Sequence, residues 1–248
     1  MGPHAVPRRD ELKAGAVPLY RDYPSPNCGP RRGGALPDLI VLHYTGMADC
    51  GAAQARLCDP ASAVSAHYLI AESGTVVALV PEELRAWHAG AGAWGAVSDV
   101  NSRSIGIELA NDGAQPFAAP QMVALEGLLA DVMRRWQIPP ERVIAHSDLA
   151  PGRKVDPGAR FDWRGLALAG LAVWPEVDPE AWASPVRVAA FLAALRAFGY
   201  PDAPADTLLA AFRLRFRPWG TGALDAVDVA LATDLAARFA VDATGSAA

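Results

Sequence analysis

The sequence predicts an α/β domain, a mixed central β-sheet flanked by helices, with a small three-helix domain behind it. Three observations lead there. Up to about residue 175, short β-branched runs are interleaved with a long helical period. Beyond Pro175, Pro179 and Pro185 only the helical period remains. Histidines and carboxylates gather where the runs of the first part end, the usual place for chemistry on an open sheet.

Each element has its own signal. Residues 1–37 are rich in Pro, Gly and Arg with little periodicity, and read as an irregular N-terminal arm. The run Leu39-Ile-Val-Leu42 is a buried strand ending at His43. Residues 67–71 and 75–80 are two strands joined by the turn Glu72-Ser-Gly74. Residues 104–109 alternate, placing Ile105, Ile107 and Leu109 on one face and Glu108 on the other. Met122, Leu125, Leu128, Leu129 and Val132 recur at the helical spacing between Pro120 and Trp136, with Pro139 after the end. A short strand at 143–145 leads into His146. The expected domains are therefore 38–175, which carries the chemistry, and 184–243, built from amphipathic segments 186–198, 206–216 and 225–239.

Composition narrows the function classes. The chain is 52% apolar and 20% charged, a globular profile rather than a disordered one. It has 22 basic against 27 acidic residues, a net charge of −5, so no basic field exists for a phosphate backbone and nucleic acid is not an expected partner. Three cysteines without C-x-x-C spacing give neither a disulfide framework nor a thiolate metal site. No run approaches the ~18 apolar residues of a membrane span. The first residues carry charge without an apolar core behind it, so the expected location is cytoplasmic, or periplasmic if the start is misassigned.

The chemistry concentrates in His146-Ser-Asp-Leu-Ala-Pro-Gly-Arg-Lys-Val-Asp-Pro-Gly158. With His43 at another strand end, His146 and Asp156 make two imidazoles and one carboxylate. Three protein ligands with a fourth position open are the pattern of catalytic zinc. On the residues alone, ordinary hydrogen-bonded histidines fit as well, and Glu108 and Lys154 read equally as a solvated strand residue and a surface cation.

A resemblance separates these readings. Val41-Leu-His-Tyr-Thr-Gly46, Val64-Ser-Ala-His-Tyr-Leu-Ile70, Ala86-Trp-His-Ala-Gly90, Asn101-Ser-Arg-Ser-Ile-Gly-Ile-Glu-Leu109 and residues 145–158 resemble, in order, the motif series of the type 2 N-acetylmuramoyl-L-alanine amidases. The resemblance implies a fold like that of the peptidoglycan recognition proteins. It also implies Zn2+ on His43, His146 and Asp156, Glu108 as the catalytic acid/base and Lys154 as the oxyanion-stabilising cation. Zinc-less recognition relatives lose ligands; this sequence keeps them all. Only Lys13 and Lys154 are lysines in a chain that otherwise uses arginine, which fits a specific need at Lys154.

The implied reaction is hydrolysis of the amide between N-acetylmuramic acid, or its 1,6-anhydro form, and L-alanine of a stem peptide. The implied partners are peptidoglycan fragments or muropeptides, met by a monomer. Trp87, His88, Asn101 and Arg103 are expected to face the groove, and Arg153 to meet a stem-peptide carboxylate. His67 is expected to be a core or supporting histidine rather than a ligand. The tail resembles the peptidoglycan-binding helical domain of the same family. Another zinc hydrolase class is disfavoured because no His-Glu-x-x-His occurs.

Overall fold

The computed structural model describes residues 20–177 and 186–241 of the chain. Residues 1–19 of the arm, the linker prolines Pro179 and Pro185, and residues 242–243 lie outside the described residues. In chain order the strands are β1 (Tyr20–Asp22), β2 (Cys28–Pro30), β3 (Leu39–Tyr44), β4 (Tyr68–Ile70), β5 (Val76–Ala78), β6 (Leu84–Ala86), β7 (Ser104–Leu109) and β8 (Val143–Ala145). The helices are α1 (Cys50–Cys58), α2 (Val100–Arg103), α3 (Ala119–Trp136), α4 (His146–Leu149), α5 (Trp163–Leu168), α6 (Val188–Phe198), α7 (Ala205–Phe216) and α8 (Ala226–Phe239).

The main sheet runs β1-β5-β4-β7-β3-β8 and is mixed, with β4 and β5 antiparallel and the other pairs parallel. β2 and β6 form a separate antiparallel ribbon. Two strands thus come from the stretch read as an irregular arm. Arg31, buried just after β2, holds that stretch down by donating to the carbonyls of Glu82 (2.7 Å), Ser102 (2.9 Å) and Ser104 (3.1 Å). Burial pulls its guanidinium down to about 10.

Alternation assigns the two faces of the sheet. Ile40 and Leu42 of β3, with Ile105, Ile107 and Leu109 of β7, pack against Leu125, Leu128, Leu129 and Val132 of α3. Full burial of each such side chain contributes about 1.5–3 kcal/mol, enough to fix the register. Pro120 sits in the first turn of α3, where its missing N–H costs nothing, and Gln137 ends the helix in the left-handed region at φ 55°. The buried Gln121 amide donates to the carbonyls of Ile70 (2.8 Å) and Ala110 (3.0 Å), tying the helix to two strand ends.

The opposite face is divided along the strands. Leu39, Val41 and Ile144 share one apolar cluster with Trp94 and with Phe191, Leu195, Phe198, Leu208, Phe212 and Phe216 of the C-terminal helices. Those helices therefore lie on the sheet itself. One step past Val41 the same face carries His43, and here the apolar cover stops. Among the described residues no helix is long and apolar enough to cross a membrane.

Candidate metal centre and cleft

The register sets His43 of β3 directly beside Glu108 of β7. His146 opens α4 at the end of β8, the neighbour of β3 on its other side. The loop after α4 folds back so that the Asp156 carbonyl accepts from the Ser147 N–H at 3.0 Å, which returns Asp156 to the side of His146. Nδ1 of His43, Nδ1 of His146 and Oδ2 of Asp156 consequently converge, at 2.9 Å between the histidines and 3.0 and 2.9 Å from each to the carboxylate. All three residues are buried.

The far sides of the rings decide what the near sides offer. His146 Nε2 lies 2.9 Å from the Ala89 carbonyl, which only accepts, so Nε2 carries the proton and Nδ1 presents a lone pair. His43 Nε2 lies 3.0 Å from His88 Nδ1; His88 Nε2 lies 3.1 Å from Ser104 Oγ; and the Ser104 hydroxyl donates to the Val100 carbonyl at 2.6 Å. A consistent run of donors puts the proton of His43 on Nε2, again leaving Nδ1 bare. Burial, then the neighbouring His146 imidazole, which could not share a second positive charge, pulls His43 down to about 4, so a proton is a poor occupant of this point. Burial pushes the Asp156 carboxyl up, but its closeness to the His146 and His43 imidazoles outweighs this and holds the group below the usual carboxylate range. Two imidazole lone pairs and a carboxylate converging on one point fit a divalent cation of the zinc kind, with a side left open to the cleft.

The cleft has a volume of about 380 Å³ and is lined by these residues with Glu108, Lys154, Trp87 and Arg56 among others. Oε2 of Glu108 is buried with no hydrogen-bond partner among the described residues. Burial, then the charge of Asp156, raises its carboxyl to about 8, with Lys154 pulling the other way. An orphaned, protonatable oxygen beside an open position is the arrangement of a group that exchanges protons with a bound molecule.

The residues expected to contact substrate divide. Trp87, His88 and Arg153 line the cleft. His88 has both ring nitrogens committed, to His43 and Ser104. Arg153 donates to the carbonyls of Ala89 (2.7 Å) and Ala91, bracing the loop that receives the His146 proton. Asn101 and Arg103 do not line the cleft, which corrects that expectation. Asn101 is buried and its Oδ1 accepts from the N–H groups of His88 (3.0 Å) and Ala89 (2.9 Å). Arg103 precedes β7 at the end of the strands away from Glu108 and is paired with Asp38. His67 is buried and neutral, driven down to about 3 by burial and then by the Arg31 charge; its Nδ1 accepts from the Gly106 N–H at 2.9 Å. Sequence reasoning missed Gly106 itself. A Cβ there would overlap the His88 ring, so only glycine lets the ring lie against β7. A glycine between two isoleucines in a strand is the signal that marked it.

Residues 33–159 match the family described as N-acetylmuramoyl-L-alanine amidase. The chain is 36% identical over 234 residues to the N-acetylmuramoyl-L-alanine amidase AmiD of Escherichia coli, covering 82% of this chain and 84% of AmiD. Its fold superposes on the complex of E. coli AmiD with the substrate anhydro-N-acetylmuramic acid-L-Ala-D-gamma-Glu-L-Lys with a TM-score of 0.76 at 33% identity, covering 94% and 95% of the two chains. AmpDH3 from Pseudomonas aeruginosa in complex with anhydromuramic pentapeptide gives 0.73 at 31% identity, covering 94% and 98%. With the family match spanning half of the sequence and AmiD aligned over most of both chains, this protein belongs to the N-acetylmuramoyl-L-alanine amidase family.

Proposed function

We propose that the protein hydrolyses the amide between the lactyl group of N-acetylmuramic acid, or its 1,6-anhydro form, and L-alanine of a peptidoglycan stem peptide. The observation that carries this is the convergence of His43, His146 and Asp156 beside a Glu108 carboxyl whose buried Oε2 has no hydrogen-bond partner among the described residues. The solved relatives hold anhydromuramyl peptides, which favours fragments of this kind as substrates.

His43, His146 and Asp156 would hold zinc, which when bound supplies Lewis acidity to a carbonyl and lowers the pKa of water. The chain's own residues do the rest. Glu108, poised between protonation states, takes a proton from the attacking water and returns it to the departing alanine nitrogen, without which the amine is a poor leaving group. Lys154, half-buried in the same cleft, places a fixed positive charge where the oxyanion develops. Trp87 offers a wall on which a sugar or peptide face stacks, and the exposed Arg56 offers a cation to a stem-peptide carboxylate.

The test is digestion of purified anhydromuramyl tripeptide and of intact sacculi by chelated and zinc-restored protein, with products read by mass spectrometry. The expected result is release of free stem peptide by the zinc-restored protein alone. Full activity in the metal-free sample, or cleavage at another bond, overturns the proposal.

A further inference from the structure

The C-terminal helices place a buried ionic cluster against the short helix that carries His146. Asp148 of α4 is fully buried. Its Oδ2 accepts from the Ala145 N–H at 2.9 Å and from Arg215 Nη1 of α7 at 2.6 Å, and its Oδ1 accepts from the Tyr200 hydroxyl at 2.5 Å. Arg215 also donates through Nη2 to the Val143 carbonyl at 3.1 Å, so one guanidinium clamps both the start of β8 and the carboxylate of α4. Its plane is fixed by Trp163 and Phe216, whose ring centroids lie 4.2 and 4.7 Å from its central carbon. His146 sits between those two anchor points. The other support of His146, the Ala89 carbonyl, belongs to a loop held by the same corner: Gly95 N–H donates to the Gly199 carbonyl at 2.8 Å, and Trp94 packs edge-on against Phe198 and Tyr200 at 5.4 and 5.3 Å.

We propose that Arg215 and Tyr200 are positioning residues for the metal centre, so that the C-terminal helical layer sets the orientation of His146 and with it the affinity for zinc. A helix of four residues is too short to hold its own backbone in place by its internal hydrogen bonds. Here the fixing comes from a charge pair that is costly to break and from a loop gripped at the same corner. The inference rests on the reading of His43, His146 and Asp156 as zinc ligands.

The test uses the full chain and four proteins: wild type, Tyr200→Phe, the double variant Asp148→Asn with Arg215→Met, and Phe191→Leu. The double variant removes both charges together, so neither is left buried alone. Phe191 packs on Phe212 within the same layer and serves as the control for general loosening. Zinc affinity is read by chelator competition, the thermal midpoint of the metal-free protein separately, and kcat and KM at saturating zinc. The expected result is zinc affinity about 10–100-fold weaker in the double variant, as for other groups that orient ligands, and several-fold weaker in Tyr200→Phe, with KM unchanged. Phe191→Leu should lower the midpoint and leave zinc affinity unchanged. Zinc affinity that follows the midpoint in all variants, or that stays constant in Tyr200→Phe and the double variant, overturns the inference. If the double variant does not fold, Tyr200→Phe against Phe191→Leu decides by the same criterion. A wild type that binds no zinc overturns the metal-site reading first, and the inference falls with it.

Discussion

Asp148 of α4 and Asp156 of the loop that follows it are both buried, yet they meet opposite surroundings. Asp148 faces groups that bring their own protons: a phenol, a backbone amide and a guanidinium. Asp156 faces two imidazole nitrogens whose protons lie on the far sides of the rings. The first arrangement closes on itself, and the second closes only around a cation. A buried carboxylate therefore marks a site only when the atoms facing it are lone pairs. The same test separates the cleft, with its orphaned Glu108 oxygen, from the Arg213–Asp228 pair of the C-terminal layer, where charge is matched within the protein.

The contrast breaks if the two aspartates respond alike to neutralisation. Asp156→Asn should lose zinc and all measurable turnover. Asp148→Asn should retain stoichiometric zinc when zinc is saturating but lose about 3–5 kcal/mol of stability, because it strands the Arg215 charge in the core. Zinc content and denaturant unfolding of both variants check this pair of outcomes. Loss of zinc at saturation from Asp148→Asn with retention by Asp156→Asn would reverse the assignment.

Within the cleft the expected effects are smaller. Glu108→Gln should keep its zinc and lose about 10²–10⁴ in kcat, the usual contribution of a general acid/base. Lys154→Ala should keep zinc and lose about 10²–10³, as for removal of one oxyanion donor. Lys154→Arg should recover only part of that, since a planar guanidinium cannot put a point charge at the same place. Metal content beside kcat on a purified muropeptide is the measurement. Near wild-type turnover in Glu108→Gln removes its acid/base role.

What the sequence made legible follows the same division. β3, β7, β8 and α3 were readable because their periods are long or their runs β-branched, and the boundaries fall within a residue or two of the expected ones. His43, Glu108, His146, Lys154 and Asp156 were readable through motifs, and the structure brings all five to one cleft. β1 and β2 were not, because three residues show no readable alternation and β2 contains Gly and Pro; what orders that stretch includes a buried arginine whose partners are distant carbonyls. Asn101, Arg103 and Arg153 were polar residues within motifs, and sequence does not say whether a polar side chain turns to substrate or to another group of the protein. The amphipathic pattern of α6 to α8 showed an apolar face without showing its partner, which proved to be the sheet face beneath the site.

The last effect expected is one of stability, and it tests the cleft without any substrate. In the metal-free protein the Glu108 carboxyl is raised from 4.5 to about 8, chiefly by burial and next by Asp156. Below pH 4.5 the group is protonated in folded and unfolded chains alike and adds nothing. As pH rises from there to about 8, the unfolded chain releases the proton while the folded chain keeps it, so folding is progressively disfavoured; above that window the penalty is constant. Glutamine at this position carries no charge in either state. The melting midpoint of chelated Glu108→Gln should accordingly rise relative to wild type between about pH 4.5 and 8 and then run parallel to it. Zinc should shrink the gap, because a cation beside the carboxyl favours its charged form. Lys154→Ala should widen it, since the one group that pulls this carboxyl down would be gone. Thermal melts of the three proteins across that range decide the matter: a gap that does not change with pH would show that Glu108 ionises normally, and that its buried oxygen is not the poised proton acceptor on which the proposed mechanism depends.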